Sequence, residues 1–295
     1  MRLSQHRIKL IVAIILFAIL YEWKRRIQLH RKQAAPIRGV PENAKKGPVI
    51  AFGACGLLYA FYCGVGDFIR QHFDLQASEA SITGSSGGTI AAAWTYLDCD
   101  VKTQIRICQG LYDNVQNNPL GGVMLSSREV VQALHRYARD NNVTDEKLKQ
   151  QQQKYGMHSL YFQASVVDLK GMRLRPMQLH SFRSMKELVY AIIVSCRILP
   201  FFARPGYWNG RYCIDGALTK SVAISEHDKK REIIKIQLEC IDAHDDAVIV
   251  GDTQTFTIWD CMDRDVSMKK DLIRWQIGYD VASKRDVVQK MMEKG

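Results

Sequence analysis

Residues 80–94 constrain the fold of this 295-residue chain more than any other stretch. Ala80-Ser81-Ile82-Thr83 is short and β-compatible, Gly84-Ser85-Ser86-Gly87-Gly88 is a turn, and Thr89-Ile90-Ala91-Ala92-Ala93-Trp94 favours helix. A strand that passes through a glycine turn straight into a helix belongs to an α/β fold. The pentapeptide matches G-x-S-x-G with Ser86 at its centre. Gly84 and Gly88 remove the β-carbons that would crowd the hydroxyl. A helix opening at the serine also turns its free N–H groups and positive dipole end towards it. Taken alone the pentapeptide is equally compatible with a flexible Gly/Ser loop; its flanks favour a serine hydrolase.

Charge is distributed unevenly. Residues 1–47 hold eleven Lys/Arg against Glu22 and Glu42, which is +9 of the formal +11. The rest of the chain is close to neutral, which argues against a nucleic-acid partner and for an anionic membrane met by the basic N-terminal segment. Leu10–Tyr21 is an unbroken run of twelve apolar or aromatic residues, extended to Ile8–Trp23 if Lys9 and Glu22 snorkel. A spanning helix wants about 20 residues, and no small-x-small cleavage site follows. The expectation is an uncleaved membrane-anchor helix (about 8–23) within a basic segment 1–30, then a proline-bearing tether over 31–47. More basic residues follow the run than precede it, so the positive-inside rule puts the downstream domain in the cytosol. The eight cysteines contain no C-x-x-C pair and read as reduced, mostly buried thiols.

Downstream, Pro48–Phe52 reads as a first strand ending in Gly53-Ala54-Cys55-Gly56, with a helix over about Leu57–Phe73. Helical patterns fill about 101–153, where Ser126–Glu129 forms a capping box and Asn142-Val143-Thr144 is a formal glycosylation sequon. Leu160–Leu169 alternates as a strand, with Leu174–His180 as its hairpin partner. Ser184–Glu187 is a second capping box, and the proline of Ile198–Phe202 ends the helix it opens. Arg211–Ile214 is a short strand running into Asp215-Gly216-Ala217, Glu232–Cys240 another strand, and Met262–Met292 is helical. No phosphate-binding loop and no clustered His/Cys ligands occur, so neither cofactor nor metal is expected.

Three elements in order carry a resemblance: the Gly53–Gly56 loop after a strand, G-x-S-x-G around Ser86, and Asp215-Gly216-Ala217 at a strand end. Together they resemble the patatin-like phospholipases, and look closest to the branch that includes adipose triglyceride lipase, over roughly residues 48–290. The resemblance implies one catalytic domain over 48–292, with a three-layer α/β/α fold and a central mostly parallel sheet. It further implies a Ser–Asp dyad with Ser86 as nucleophile and Asp215 as base. The oxyanion hole would come from Gly53, Ala54, Cys55 and Gly56. The substrate would be a phospholipid or acylglycerol ester at a membrane or lipid-droplet surface. The family's loop reads G-x-G-x-x-G, whereas this chain, aligned on Cys55-Gly56, places Tyr59 at the last glycine; a side chain there is expected to narrow the acyl site or distort the hole. Two alternatives stay open: a Ser–Asp–His triad drawing on His227 or His244, and a lipid-binding pseudoenzyme. On the bland reading, Asp215-Gly216 is an ordinary turn.

Overall fold

The structure is a computed structural model that describes residues 47–116, 127–156, 159–168, 173–198, 205–219, 222, 224, 228–238, 249–251 and 267–284. The anchor run 8–23, tether residues 31–46, Ser126, His227 and His244 lie outside the described residues. No described helix is long and apolar enough to cross a membrane. The chain divides into Met1–Ala35 and Pro36–Gly295, and every described residue belongs to the second unit.

Among its described residues that unit is mixed α/β around one eight-stranded sheet. The strands are β1 (Val49–Phe52), β2 (Ser81–Ser85), β3 (Leu160–Asp168), β4 (Arg173–His180), β5 (Gly206–Trp208), β6 (Arg211–Ile214), β7 (Ile233–Leu238) and β8 (Ile249–Gly251). β8, β7, β1, β2 and β3 are mutually parallel neighbours in that order. Parallel neighbours need crossover connections, and helices provide them: α1 (Tyr59–His72) between β1 and β2, then α2 (Gly88–Tyr96), α3 (Val101–Gln116), α4 (Ser127–Asp140) and α5 (Asp145–Tyr155) before β3. α6 (Met185–Ser195) follows the β3–β4 hairpin, and α7 (Met268–Ser283) follows β8.

Period-two alternation sorts the sheet's two faces. Ile50, Phe52, Phe162 and Ile236 join the main apolar cluster with the helices, whereas Val49 and Ala51 turn to a small cluster with Val222 and Ile224. The helical layer that the described residues establish is therefore on the Ile50/Phe52 face. Local signals behave as the sequence implies. Ser184 Oγ accepts from the Glu187 N–H at 3.2 Å and opens α6, and the six described cysteines form no disulfide.

β3 is the organising strand because it outlasts β2. β4 pairs along Tyr161–Asp168 and takes one whole edge. β2 covers the other edge only from Leu160 to Gln163, and β6 takes that same edge antiparallel at Ser165 and Val166. β2 and β6 therefore approach each other end to end, and the turn after each meets the other.

Tyr59 departs from its expected role. It is the first residue of α1, it is buried, and its hydroxyl donates to Asp271 Oδ2 of α7 at 2.7 Å. The side chain belongs to the main apolar cluster and ties α1 to α7. Burial raises the Asp271 carboxyl above its ordinary range, opposed by Tyr59 and then Arg274. The expectation that this side chain crowds an acyl site is thus corrected: the position is core. Tyr59→Gly is expected to destabilise the domain by about 3–5 kcal/mol, through a cavity and the loss of one hydrogen bond to a buried carboxyl that Arg274 still faces. Chemical denaturation would measure this, and a loss below about 1 kcal/mol would show that the contact contributes little.

Candidate active site

Ser85 is the last residue of β2 and Gly88 the first of α2, so the chain reverses within two residues. Ser86 accordingly sits at φ +53°, a left-handed conformation that costs a non-glycine residue roughly 1–3 kcal/mol. The surroundings hold it there. Its N–H donates to Ser195 Oγ at 3.1 Å. Its carbonyl accepts from the Thr89 N–H at 2.9 Å and from Thr89 Oγ1 at 2.7 Å. Ser195 Oγ in turn donates to the Gln163 carbonyl of β3.

Asp215 reaches this turn from β6. Ser165 faces Ile214 across the antiparallel ladder, so continuing the register brings Gly216 opposite Gln163. A Cβ on Gly216 would lie 2.1 Å from the Gln163 carbonyl oxygen, which confirms the approach. Ser86 Oγ donates to Asp215 Oδ2 at 2.7 Å, while Oδ1 accepts from the Ala217 N–H at 2.8 Å. Asp215-Gly216-Ala217 is thus a capped 3-10 turn as well as a partner of the serine. Ser86 is 4% and Asp215 1% exposed. Burial pushes the Asp215 carboxyl from 3.8 up to about 7, with the Ser86 and Ala217 bonds acting the other way. It can therefore hold or release a proton near neutrality.

The Gly53–Gly56 loop lies against the same turn. A Cβ on Gly88 would sit 2.1 Å from the Gly53 carbonyl, and one on Gly87 would sit 2.4 Å from that of Gly56 and 2.8 Å from Cys55 Sγ. No side chain fits at either position, which is why the elbow needs its glycines. The loop's members differ as donors. The Gly53 N–H continues the β1 ladder and donates to Ile236 O at 2.9 Å, so it is not turned to an oxyanion. The Ala54 and Gly56 N–H groups donate to no described backbone carbonyl, and they flank the buried Cys55. Gly87 caps α2, where the first N–H groups have no partner inside the helix. The Gly56 carbonyl and Cys55 Sγ therefore lie directly against the Gly87 cap that follows Ser86.

Gly87, Ser195, Thr89 and Gln163 do not stand out as site residues in the sequence. Gly87 carries a signal, since the residue after an elbow nucleophile commonly supplies an oxyanion donor. Ser195 carries none beyond lying on the inner face of a helix. Cys196 comes within 3.5 Å of Thr89 Oγ1. Burial, reinforced by the Asp215 carboxylate, holds its thiol well above the ordinary range, so it is no rival nucleophile at neutral pH. Ser195→Ala should leave the Ser86 N–H unpaired at a strained φ. Turnover is expected to fall about ten-fold with a stability loss of about 1–2 kcal/mol; unchanged turnover would remove Ser195 from the positioning set.

No protein family matches the chain by sequence, and no curated protein does either. Among solved structures, VipD from Legionella pneumophila is similar over 88% of this chain and 70% of its own, with 10% identity and a TM-score of 0.49. The heterodimeric ExoU–SpcU complex from the type III secretion system of Pseudomonas aeruginosa is matched over 88% of this chain, at 12% identity and a TM-score of 0.41. There the chain spans about half of its counterpart, 52%. The chemistry of the site rests on its own geometry.

Proposed function

We propose that this chain is a serine acyl hydrolase of the patatin-like kind, cleaving carboxylic esters of phospholipid or acylglycerol at a membrane. The observation that carries this reading is the direct Ser86 Oγ–Asp215 Oδ2 bond at 2.7 Å. In a Ser–Asp–His arrangement an imidazole stands between the two, and at this separation none fits. The geometry therefore supports the dyad over a triad that would use Asp215. The pseudoenzyme alternative drew on Tyr59, and the buried bond from its hydroxyl to Asp271 supports a structural role for that side chain.

In the proposed reaction, ionised Asp215 takes the Ser86 hydroxyl proton as Oγ attacks the ester carbonyl. The carbonyl oxygen gains the negative charge, and the Gly87, Ala54 and Gly56 amides stabilise it. Collapse breaks the bond to the alcohol, which leaves with the proton from Asp215, and an acyl group stays on Ser86. Water then repeats the sequence with Asp215 as base and releases the fatty acid. The anchor over 8–23 and its +9 segment would hold the domain on the cytosolic side of the membrane.

Ser86→Ala tests the reading. Hydrolysis of a water-soluble ester and of a panel of defined lipids should fall by about 10³-fold or more, with the fold intact. Activity within a few-fold of wild type would end the nucleophile assignment. A collapse on His227→Ala or His244→Ala instead would move the chemistry to a triad.

A further inference from the structure

Five large apolar side chains are exposed among the described residues: Tyr207, Tyr212, Met268, Leu272 and Ile273, each between 39% and 54%. Their placement is not random. β6 lies beyond the end of β2 on the edge of β3, so the β5–β6 hairpin rises past the Ser86 turn. Asn209 and Gly210, both at positive φ, form the two-residue turn at its tip. Trp208 and Cys213 face the core, which leaves Tyr207 and Tyr212 side by side on the outer face, their rings 5.4 Å apart and edge to face. The second group belongs to α7. Asp271, in its first turn, meets Tyr59 at the start of α1, just past the Gly53–Gly56 loop. Met268, Leu272 and Ile273 therefore also stand at the edge of the sheet where Ser86 lies. On the opposite edge, the described loops entering β2 and β7 expose Asp74, Gln76, Glu79, Lys230 and Glu232, and no large apolar group.

We propose that this edge is the surface by which the domain seats on a lipid bilayer, with the hairpin tyrosines on one side of Ser86 and the α7 apolar turn on the other. The inference rests on the hydrolase reading, and adds a contact separate from the N-terminal segment. Tyrosine pairs an apolar ring with a polar tip and suits the headgroup region. Exposed Arg211 and Lys269 adjoin the two patches and complement lipid phosphates. A bilayer also explains why two separate patches flank one site: a surface that rests on both presents its esters to the serine between them.

Hydrogen exchange of the full chain carrying Ser86→Ala, with and without phosphatidylcholine–phosphatidylserine vesicles, reads the contact with hydrolysis removed. Protection is expected at residues 206–214 and 267–276, with none at 74–79. Failure to bind vesicles, or binding that leaves both segments unprotected, overturns the proposal. In the otherwise native full chain, Tyr212→Ser combined with Ile273→Ser should keep soluble-ester turnover within about two-fold and lower turnover of vesicle lipid about ten-fold. Equal vesicle turnover by this variant and wild type also overturns it. Should the wild-type chain hydrolyse neither substrate while both segments are protected, the hydrolase reading fails and the docking surface stands.

Discussion

Asp215→Asn is expected to lower turnover by about 10³-fold or more and, above neutral pH, to make the domain more stable than wild type. The two effects share one cause. Burial raises the Asp215 carboxyl from 3.8 to about 7. The folded state therefore favours the protonated form, and the stability tied to this group is full below pH 3.8 and lost as pH rises through about 7. Holding the carboxylate ionised in the fold costs up to about 4 kcal/mol. An amide keeps the shape and the bond from Ala217 without that cost, but it cannot take the serine proton. On the proposed mechanism, the wild-type chain should become active as Asp215 ionises, with turnover climbing through pH about 7. Thermal unfolding at pH 5 and pH 8.5 (roughly two units either side of that midpoint) checks the stability half. If the variant gains nothing at the higher pH, Asp215 is not the strained base described above.

Arg231→Met is expected to destabilise the domain by about 3–5 kcal/mol, the usual loss when one partner of a buried ion pair is removed. Arg231 stands just before β7 and ties together the starts of three strands. Its Nε donates to Gly47 O at 2.6 Å and its Nη2 to Pro48 O at 3.2 Å. Its Nη1 reaches Ser81 Oγ at 3.0 Å and Asp228 Oδ1 at 2.9 Å. Asp228 is buried and also accepts from the Tyr161 hydroxyl. Removing the guanidinium takes this cation from the buried carboxylate and its side-chain bonds from Gly47, Pro48 and Ser81. Denaturant unfolding measures the loss. Asp228→Asn in the same chain should recover part of it, since the two side chains are in contact and their effects do not add. A loss below about 1 kcal/mol would mean that the clamp is solvated and contributes little.

Much of the fold was legible because it is written locally. The alternation of Leu160–Leu169 and Leu174–His180 announces the β3–β4 hairpin, and Ser184–Glu187 announces the start of α6. β5 and β8 escape because three residues carry no usable period. At Tyr59, alignment to a glycine pattern says which residue occupies the position, not where its side chain turns. The first turn of α1 sends this one to Asp271, 212 residues away in the chain.

The sequence by itself determined that Ser86 sits in a glycine-rich turn between a strand and a helix, that Asp215 ends a strand, and that the charge is concentrated before residue 48. Those are properties of adjacent residues, set by backbone sterics and composition. Only the tertiary structure decided that serine and aspartate, 129 residues apart, are hydrogen-bonded. It did so because β3 extends past β2 and leaves β6 the rest of the same edge. Ser195, 109 residues from the Ser86 N–H it holds, belongs to the same decision. So does the pKa of Asp215, which no local pattern encodes, because it comes from the water that the packed chain excludes.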